Sequence, residues 1–80
     1  MILNIKYFGV LAEITKKKEE LLVWDESNLT VNSLKSKIES VYQELQKNSY
    51  SIALNQTMVG MDVIVKDQDV IAFLPPFAGG

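Results

Sequence analysis

Residues 70–74 form an unbroken apolar run, and two prolines follow it directly at positions 75 and 76. Such a run without alternation is typical of a strand inside a sheet that is covered on at least one face. Proline has no backbone N–H to donate, so the pairing of this strand must stop at Pro75. The sequence therefore predicts a folded domain over residues 1–74 and a projecting C-terminal tail over residues 75–80, which the two prolines keep extended.

The preceding chain predicts further strands. Residues 2–8 alternate, with Leu3, Ile5 and Tyr7 on one side, as in a strand that buries one face. Short runs rich in strand-forming residues predict additional strands at 21–24, 51–54 and 57–59. We expect the segment at 21–24 to pair back on the first strand as a hairpin.

One long helix is predicted over residues 31–45, because apolar residues recur there at helical spacing and polar residues fill the opposite side. The apolar positions are Val31, Leu34, Ile38, Val41, Tyr42 and Leu45. Thr30 is placed to cap the helix by accepting a hydrogen bond from a first-turn N–H. Together the elements predict an α+β fold, with a mixed sheet of four to five strands and one long helix packed across it.

The composition excludes most enzyme mechanisms and several kinds of partner. The 80 residues include no Cys and no His, which removes thiolate nucleophiles, disulfides, and thiolate or imidazole metal ligands. No apolar run approaches the roughly 20 residues of a membrane span. The lack of Arg and a formal charge of −2 argue against nucleic-acid binding. The sequence predicts a cytoplasmic domain with no nucleic-acid partner, no membrane partner and no metal site.

The tail offers one reactive group, the α-carboxylate of Gly80. Gly79 and Gly80 have no side chains, so this end can enter a narrow channel in another protein, although two glycines can also be a frayed end. The carboxylate is a poor electrophile until its oxygen becomes a leaving group, which adenylation by ATP would achieve. The acyl-adenylate could then react with an amine to give an amide, or with a sulfur donor to give a thiocarboxylate.

The ending Phe73-Leu74-Pro75-Pro76-Phe77-Ala78-Gly79-Gly80 resembles that of the sulfur carriers that form the small subunit of molybdopterin synthase. Residues 5–13, 53–56 and 69–73 resemble the same family, so the likeness spans nearly the whole chain. One departure is visible in the turn before the last strand, where the family often has Asp-Gly-Asp and this chain has Gln68 in place of glycine. If that turn needs positive φ, Gln68 costs on the order of 1 kcal/mol.

The resemblance implies a ubiquitin-like β-grasp fold and a function as a sulfur carrier, with sulfur held as a thiocarboxylate on Gly80. It implies adenylation by an E1-like enzyme that uses ATP and Mg²⁺, and a sulfur donor such as a cysteine desulfurase or a rhodanese. The C-terminal tail of the carrier would then insert into the large synthase subunit. The complete synthase would be a heterotetramer of two small and two large subunits. There its sulfur would convert cyclic pyranopterin monophosphate into the molybdopterin dithiolene. The chain itself would bind no cofactor and have no active site of its own.

By the same resemblance, particular side chains are expected to meet the partner. The threading residues would be Pro75, Pro76, Phe77, Ala78 and Gly79, and the contacts around the tail base would be Phe8, Leu74 and Phe77, with Phe73 as runner-up. Apolar strand residues are usually buried, so core packing is the alternative for Phe8 and, more strongly, for Phe73. Phe77 follows two prolines and has little core to enter, which favours an interface anchor.

Three other functions remain open on the sequence. A sulfur carrier for thiamine thiazole synthesis would share the fold and the Gly-Gly ending, although such chains tend to be shorter and to lack the two prolines. A ubiquitin-like modifier would form isopeptide bonds with lysines of other proteins. An adaptor domain would use no tail chemistry.

Overall fold

The computed structural model describes residues 1–76 of the chain, which form one sheet and one longer helix with shorter helical segments. A 3₁₀ helix covers Gln43–Lys47. The other elements, in chain order, are β1 Ile2–Tyr7, α1 Val10–Thr15, β2 Glu19–Val23, α2 Val31–Val41, β3 Ser51–Leu54, β4 Thr57–Met58 and β5 Val70–Leu74. The predicted strands and the predicted order of elements are confirmed, although β2 begins two residues before its predicted start and ends one residue before its predicted end.

The apolar run before the prolines, β5, is the central strand of the sheet, whose order is β2-β1-β5-β3-β4. β5 pairs in parallel with β1, so that Tyr7 lies opposite Phe73, and in antiparallel with β3. The β1–β2 and β3–β4 pairs are also antiparallel. The sheet is therefore mixed and five-stranded, and the interior position of the run is confirmed.

Alternate side chains of the two central strands point into one core, as the period-two pattern predicts. Leu3, Ile5 and Tyr7 of β1 are buried together with Ile71 and Phe73 of β5. The same cluster contains Leu11 of α1, Val31, Leu34 and Ile38 of α2, and Ile52 of β3. One side of the sheet is thus covered by apolar residues of α2.

The start of α2 is capped as predicted. The Ser33 N–H donates to the Thr30 side-chain oxygen at 3.1 Å. The N–H groups of Val31 and Asn32 donate to carbonyls of the loop after β4, each at 2.9 Å. The three N–H groups at the start of the helix, which have no acceptor within it, therefore each form a hydrogen bond. With 11 residues, α2 is the longest helix, and none in the described part of the chain is long and apolar enough to cross a membrane.

The α-helix does not continue to Leu45 as the spacing predicts. It ends at Val41, because Tyr42 has φ −117° and ψ 79°, and the 3₁₀ helix Gln43–Lys47 follows. The prediction that Val41 packs into the core is wrong, since its side chain is 59% exposed, whereas Leu45 is buried. The break is accompanied by a tertiary contact, because the Tyr42 hydroxyl donates to the carboxylate of Glu20 at 2.9 Å.

The turn before β5 holds Gln68 in the left-handed region, with φ 71°. Its N–H donates to the Ile2 carbonyl at 2.7 Å, which ties the turn to the start of β1. The Asp69 carboxylate accepts from the Lys66 N–H at 2.7 Å, which closes the turn. Gln68, which stands where the family often has glycine, therefore adopts a left-handed conformation. This conformation costs an L-amino acid about 1 kcal/mol.

Replacing Gln68 with glycine is expected to stabilise the fold by about 0.5 kcal/mol. Glycine adopts positive φ without steric cost, and the entropy that it adds to the unfolded chain offsets part of the gain. The measurement is the free energy of unfolding in urea. The control is Gln43→Gly, at an exposed position without positive φ, which should lose about 0.5 to 1 kcal/mol. Destabilisation by both variants would contradict the expected strain at Gln68.

Candidate functional site

The candidate site is the place where the chain leaves the sheet at the end of β5. The Phe8 N–H donates to the Phe73 carbonyl at 3.2 Å, which extends the parallel pairing one residue beyond β1. Pro75 follows directly after the strand and is half-buried, and Pro76 is exposed. The two prolines thus stand at the edge of the core, and no ladder hydrogen bond can be donated from their nitrogens.

Gly9 forms a seat for Pro75. Its backbone has φ 56° and ψ −133°, a combination that residues with a side chain rarely adopt. A Cβ atom placed on Gly9 would lie 2.9 Å from Cγ of Pro75, closer than van der Waals contact allows. The sequence pattern gives no signal for this role of Gly9, because Pro75 lies near the other end of the chain.

Two of the predicted partner contacts are accessible beside this seat. The Phe8 side chain is 45% exposed, and Leu74 is half-buried. A shallow groove of about 330 Å³ runs beside Phe8 and Gly9, and Lys6 and Lys18 also line it. The surface around the tail base therefore offers an aromatic ring, an aliphatic side chain and two ammonium groups to a partner.

Phe73, the runner-up for partner binding, lies in the core with no exposed area. Its ring packs between those of Tyr7 and Tyr50, with centroid separations of 5.6 Å and 5.3 Å. Tyr7 is its register partner on the core side of the sheet, whereas Phe8 is the next residue and faces away. The prediction that Phe73 contacts a partner is therefore corrected: the Phe73 side chain packs in the core, on the inner side of the strand end from which the tail leaves.

Glu20 fixes the tyrosine on one side of Phe73. Its carboxylate accepts from the Tyr7 hydroxyl at 2.6 Å and from the Tyr42 hydroxyl at 2.9 Å. The Lys17 ammonium donates to the same carboxylate at 3.1 Å. Residues with no regular spacing in the sequence meet here, so the pattern gave no signal for this cluster.

A second carboxylate fixes the tyrosine on the other side. The Tyr50 hydroxyl donates to Glu39, and Lys35 forms an ion pair with Glu39 at 3.0 Å. The Lys35 ammonium also lies over the Tyr50 ring, 5.3 Å from its centroid. Phe73 is thus held between two aromatic rings, each oriented by a glutamate.

The titration properties of these groups follow from their partners. Burial by itself raises the pKa of Glu20, but hydrogen bonds from Tyr7 and Tyr42 and the nearby Lys17 ammonium outweigh it, so the pKa is lowered. Burial and the Glu20 carboxylate raise the pKa of Tyr7 above its ordinary value. Tyr7 therefore stays protonated and donates to Glu20 throughout the neutral range.

The remaining predicted site residues, Phe77, Ala78, Gly79 and Gly80, lie outside the described residues. Their predicted roles in threading, anchoring and chemistry stay predictions. Over residues 1–76, no group of three or more acidic side chains is placed to hold a metal ion. The candidate site in the described residues is the surface at the end of β5, around Pro75 and Gly9, from which the tail leaves the domain.

A comparison of the sequence with known proteins gives one family. The family model described as "ThiS family" matches residues 5–80. The molybdopterin synthase sulfur carrier subunit of Mycobacterium tuberculosis is 27% identical over 79 residues, which cover 96% of this chain and 95% of that protein. The likeness therefore extends over both the domain and the tail.

A comparison of the structure confirms the fold. The putative molybdopterin converting factor subunit 1 from Pyrococcus furiosus matches with a TM-score of 0.88 at 23% identity, over 96% of this chain and 99% of that chain. A chain in the complex of subunits 1 and 2 of the molybdopterin-converting factor from Helicobacter pylori matches with a TM-score of 0.71 at 26% identity, over 100% of both chains. The predicted ubiquitin-like β-grasp fold is confirmed.

Replacing Gly9 with alanine is expected to destabilise the fold by about 1 to 3 kcal/mol, because it adds both backbone strain and a collision with Pro75. The measurement is urea unfolding of Gly9→Ala, of Pro75→Ala and of the double variant that carries both changes. The double variant should lose less than the sum of the two single changes, because it removes the colliding ring.

The matched control is Gly60→Ala, at a glycine without positive φ whose added Cβ would meet only a side-chain oxygen of Asp62 at 3.3 Å. We expect a change of about 0.5 kcal/mol or less there. Equal losses at Gly9 and Gly60 would contradict the role of Gly9 as a seat.

Replacing Glu20 with glutamine is expected to cost about 1 kcal/mol at pH 7, where solvent partly screens the charge. The pKa of Glu20 is lowered in the folded state, so its stabilisation is present above the ordinary value of 4.5 and is lost as the pH falls through the lowered pKa. The difference in unfolding free energy between wild type and Glu20→Gln should therefore shrink as the pH falls below 4.5 and through the lowered pKa. Glu19→Gln, at an exposed position of the same strand, serves as control. An undiminished difference at low pH would refute this linkage.

Proposed function

Because the chain belongs to the ThiS family, whose model matches residues 5–80, we propose that it is a sulfur carrier and the small subunit of a molybdopterin synthase. The choice of pathway is supported by the Mycobacterium tuberculosis relative, which carries the name of that subunit and aligns over 95% of its length. The ubiquitin-like modifiers among the structural neighbours, such as SAMP1 from Haloferax volcanii at 18% identity, support the fold alone.

The observation that carries the proposal is the exit of the tail from the central strand. β5 lies inside the sheet, and Pro75 rests on Gly9 at its end. This contact limits the directions in which the following residues can leave the domain. A tail that ends in Gly79 and Gly80 and starts from a fixed base is suited to reach a buried active site in another protein.

The proposed chemistry takes place on Gly80. An E1-like partner that binds ATP and Mg²⁺ would join the carboxylate to AMP and release pyrophosphate. A persulfide sulfur from the donor would then attack the acyl carbon and displace AMP, and reduction of the resulting acyl disulfide by a thiol would leave the thiocarboxylate. The thiocarboxylate sulfur would next displace an oxygen substituent from a carbon of cyclic pyranopterin monophosphate in the large subunit. Water would then cleave the thioester that forms, which leaves the sulfur on the pterin and a carboxylate on Gly80. A terminal glycine suits each step because no side chain blocks the acyl carbon.

The proposed partner surface surrounds the tail base. Phe8 and Leu74 would contact the large subunit, and Phe77 would act as an anchor beyond the prolines. The groove that Lys6 and Lys18 line extends this surface toward β2. The Helicobacter pylori neighbour, solved as a complex of subunits 1 and 2, supports a partner subunit of this kind. The heterotetramer and the cytoplasmic location belong to the same proposal.

The test is the intact mass of the chain after incubation with an E1-like enzyme, ATP, Mg²⁺ and a sulfur source. We expect a gain equal to one oxygen replaced by sulfur, and its loss when the large subunit and the precursor are added. Deleting Gly79 and Gly80, or adding one residue after Gly80, should abolish the transfer and leave the unfolding free energy unchanged. Val41→Ala, at an exposed position of α2, is the control that should transfer normally.

Precursor conversion by either tail variant would contradict the proposed mechanism. Sulfur on Gly80 without conversion of the precursor would favour the thiazole pathway instead. If a competent activating enzyme leaves no sulfur on the chain, the modifier and adaptor functions take precedence.

A further inference from the structure

β2 forms one edge of the sheet and presents hydrogen-bonding groups on its outer side. In an antiparallel pair, successive residues direct their N–H and C=O groups alternately toward and away from the neighbouring strand. The Trp24 N–H donates to the carbonyl of Met1 at 2.9 Å, so Trp24 faces β1. The backbone N–H and C=O groups of Val23, the preceding residue, therefore point away from β1. By the same alternation, those of Leu21 and Glu19 also point away from β1.

The outward-facing residues also carry exposed apolar side chains. Leu21 is 68% exposed and Val23 is 70% exposed, the highest values among the large apolar side chains of residues 1–76. The opposite edge of the sheet, β4, has only two residues. An edge strand with unpaired groups and exposed apolar side chains is a template for pairing with another strand.

The charges that flank β2 identify the strand that would pair with it. Lys16, Lys17 and Lys18 precede β2, Asp25 and Glu26 follow it, and all are exposed. When two copies of this strand run antiparallel, the basic end of each copy meets the acidic end of the other. The segment is therefore complementary in charge to a second copy of itself.

We propose that β2 pairs antiparallel with β2 of a second copy of this chain, with the two Leu21 residues opposite each other. In this register, Glu19 lies opposite Val23 of the second copy, and the basic segment before β2 lies beside Asp25 and Glu26 of the second copy. A shift by one pair in one direction places Glu19 against Asp25, two like charges. A shift in the other direction places Glu19 against Leu21 and leaves Val23 beyond the end of the partner strand, so both alternatives are less favourable.

The resulting dimer is closed, because the same edge is used by both copies and β4 offers little for further growth. Each pair of opposing outward-facing residues adds two main-chain hydrogen bonds. β5 and Pro75 are separated from this edge by β1 and stay accessible, whereas the far end of the groove beside Phe8 reaches Glu19 and would be partly covered by the second copy. The inference rests on β2 alone and is independent of the proposed function.

The first test is sedimentation velocity of the full chain from about 5 to about 500 µM, the range suited to a small interface. We expect the mass to rise from 9.0 kDa toward twice that value. Leu21→Lys places like charges at the two-fold axis and should weaken dimerisation by about tenfold or more. Val41→Lys, at a position 59% exposed on α2, is the matched control and should dimerise like the wild type.

The second test exchanges the flanking charges. The acidic variant carries Lys16→Glu and Lys18→Glu, which leaves the Lys17–Glu20 ion pair intact, and the basic variant carries Asp25→Lys and Glu26→Lys. Each variant alone should be monomeric because both of its flanks have the same sign. An equimolar mixture should form heterodimers, because each acidic flank then meets a basic one. Circular dichroism of each variant checks that it is folded.

The proposal is overturned if the wild type stays monomeric at the highest concentration, which would leave the edge to a strand of another protein. It is also overturned if Val41→Lys dissociates the dimer as strongly as Leu21→Lys, or if the mixture of folded charge variants fails to associate.

Discussion

Parallel pairing of the first strand with the last is the contact on which the rest of this fold depends. Parallel neighbours cannot be joined by a tight turn, so the chain between Tyr7 and Val70 must cross one face of the sheet, and α2 lies in that crossing. The crossing gives the apolar side of α2 a surface to pack on, and it leaves the two edges to β2 and β4. It also brings Gly9 and Pro75 together, although they lie near opposite ends of the sequence.

The residue below the tail base is held by two similar sets of contacts. Tyr7 and Tyr50 pack their rings on Phe73 from either side, and each sends its hydroxyl toward a glutamate near the protein surface, Glu20 or Glu39. The rings contribute buried apolar area while the hydroxyl groups keep their hydrogen bonds. The end of β5 before the prolines is thus positioned by aromatic packing on Phe73. The two tyrosine rings are in turn oriented by carboxylates outside the core.

Features decided by neighbouring residues were predictable from the sequence, and features decided by distant ones were not. The alternation around Ile5 and the capping position of Thr30 are local, and both are confirmed. The end of α2 at Val41 is accompanied by the contact of Tyr42 with Glu20, a distant residue that no periodicity reveals. For the site, apolar character alone could not separate Phe8 from Phe73, because the register between two strands decides which ring is buried.

Because β5 follows its sheet partners β1 and β3 in the chain, a growing chain lacks the middle of this sheet until residue 74 has been added. β1 and β3 have no shared neighbour before that point, and long-range pairing of this kind forms slowly. A chain cut short before β5 would expose the apolar faces of two separate hairpins, which chaperones and proteases act on. The strand that carries the tail is thus also the strand that joins the two hairpins into one sheet, so the tail base forms only when the sheet is complete.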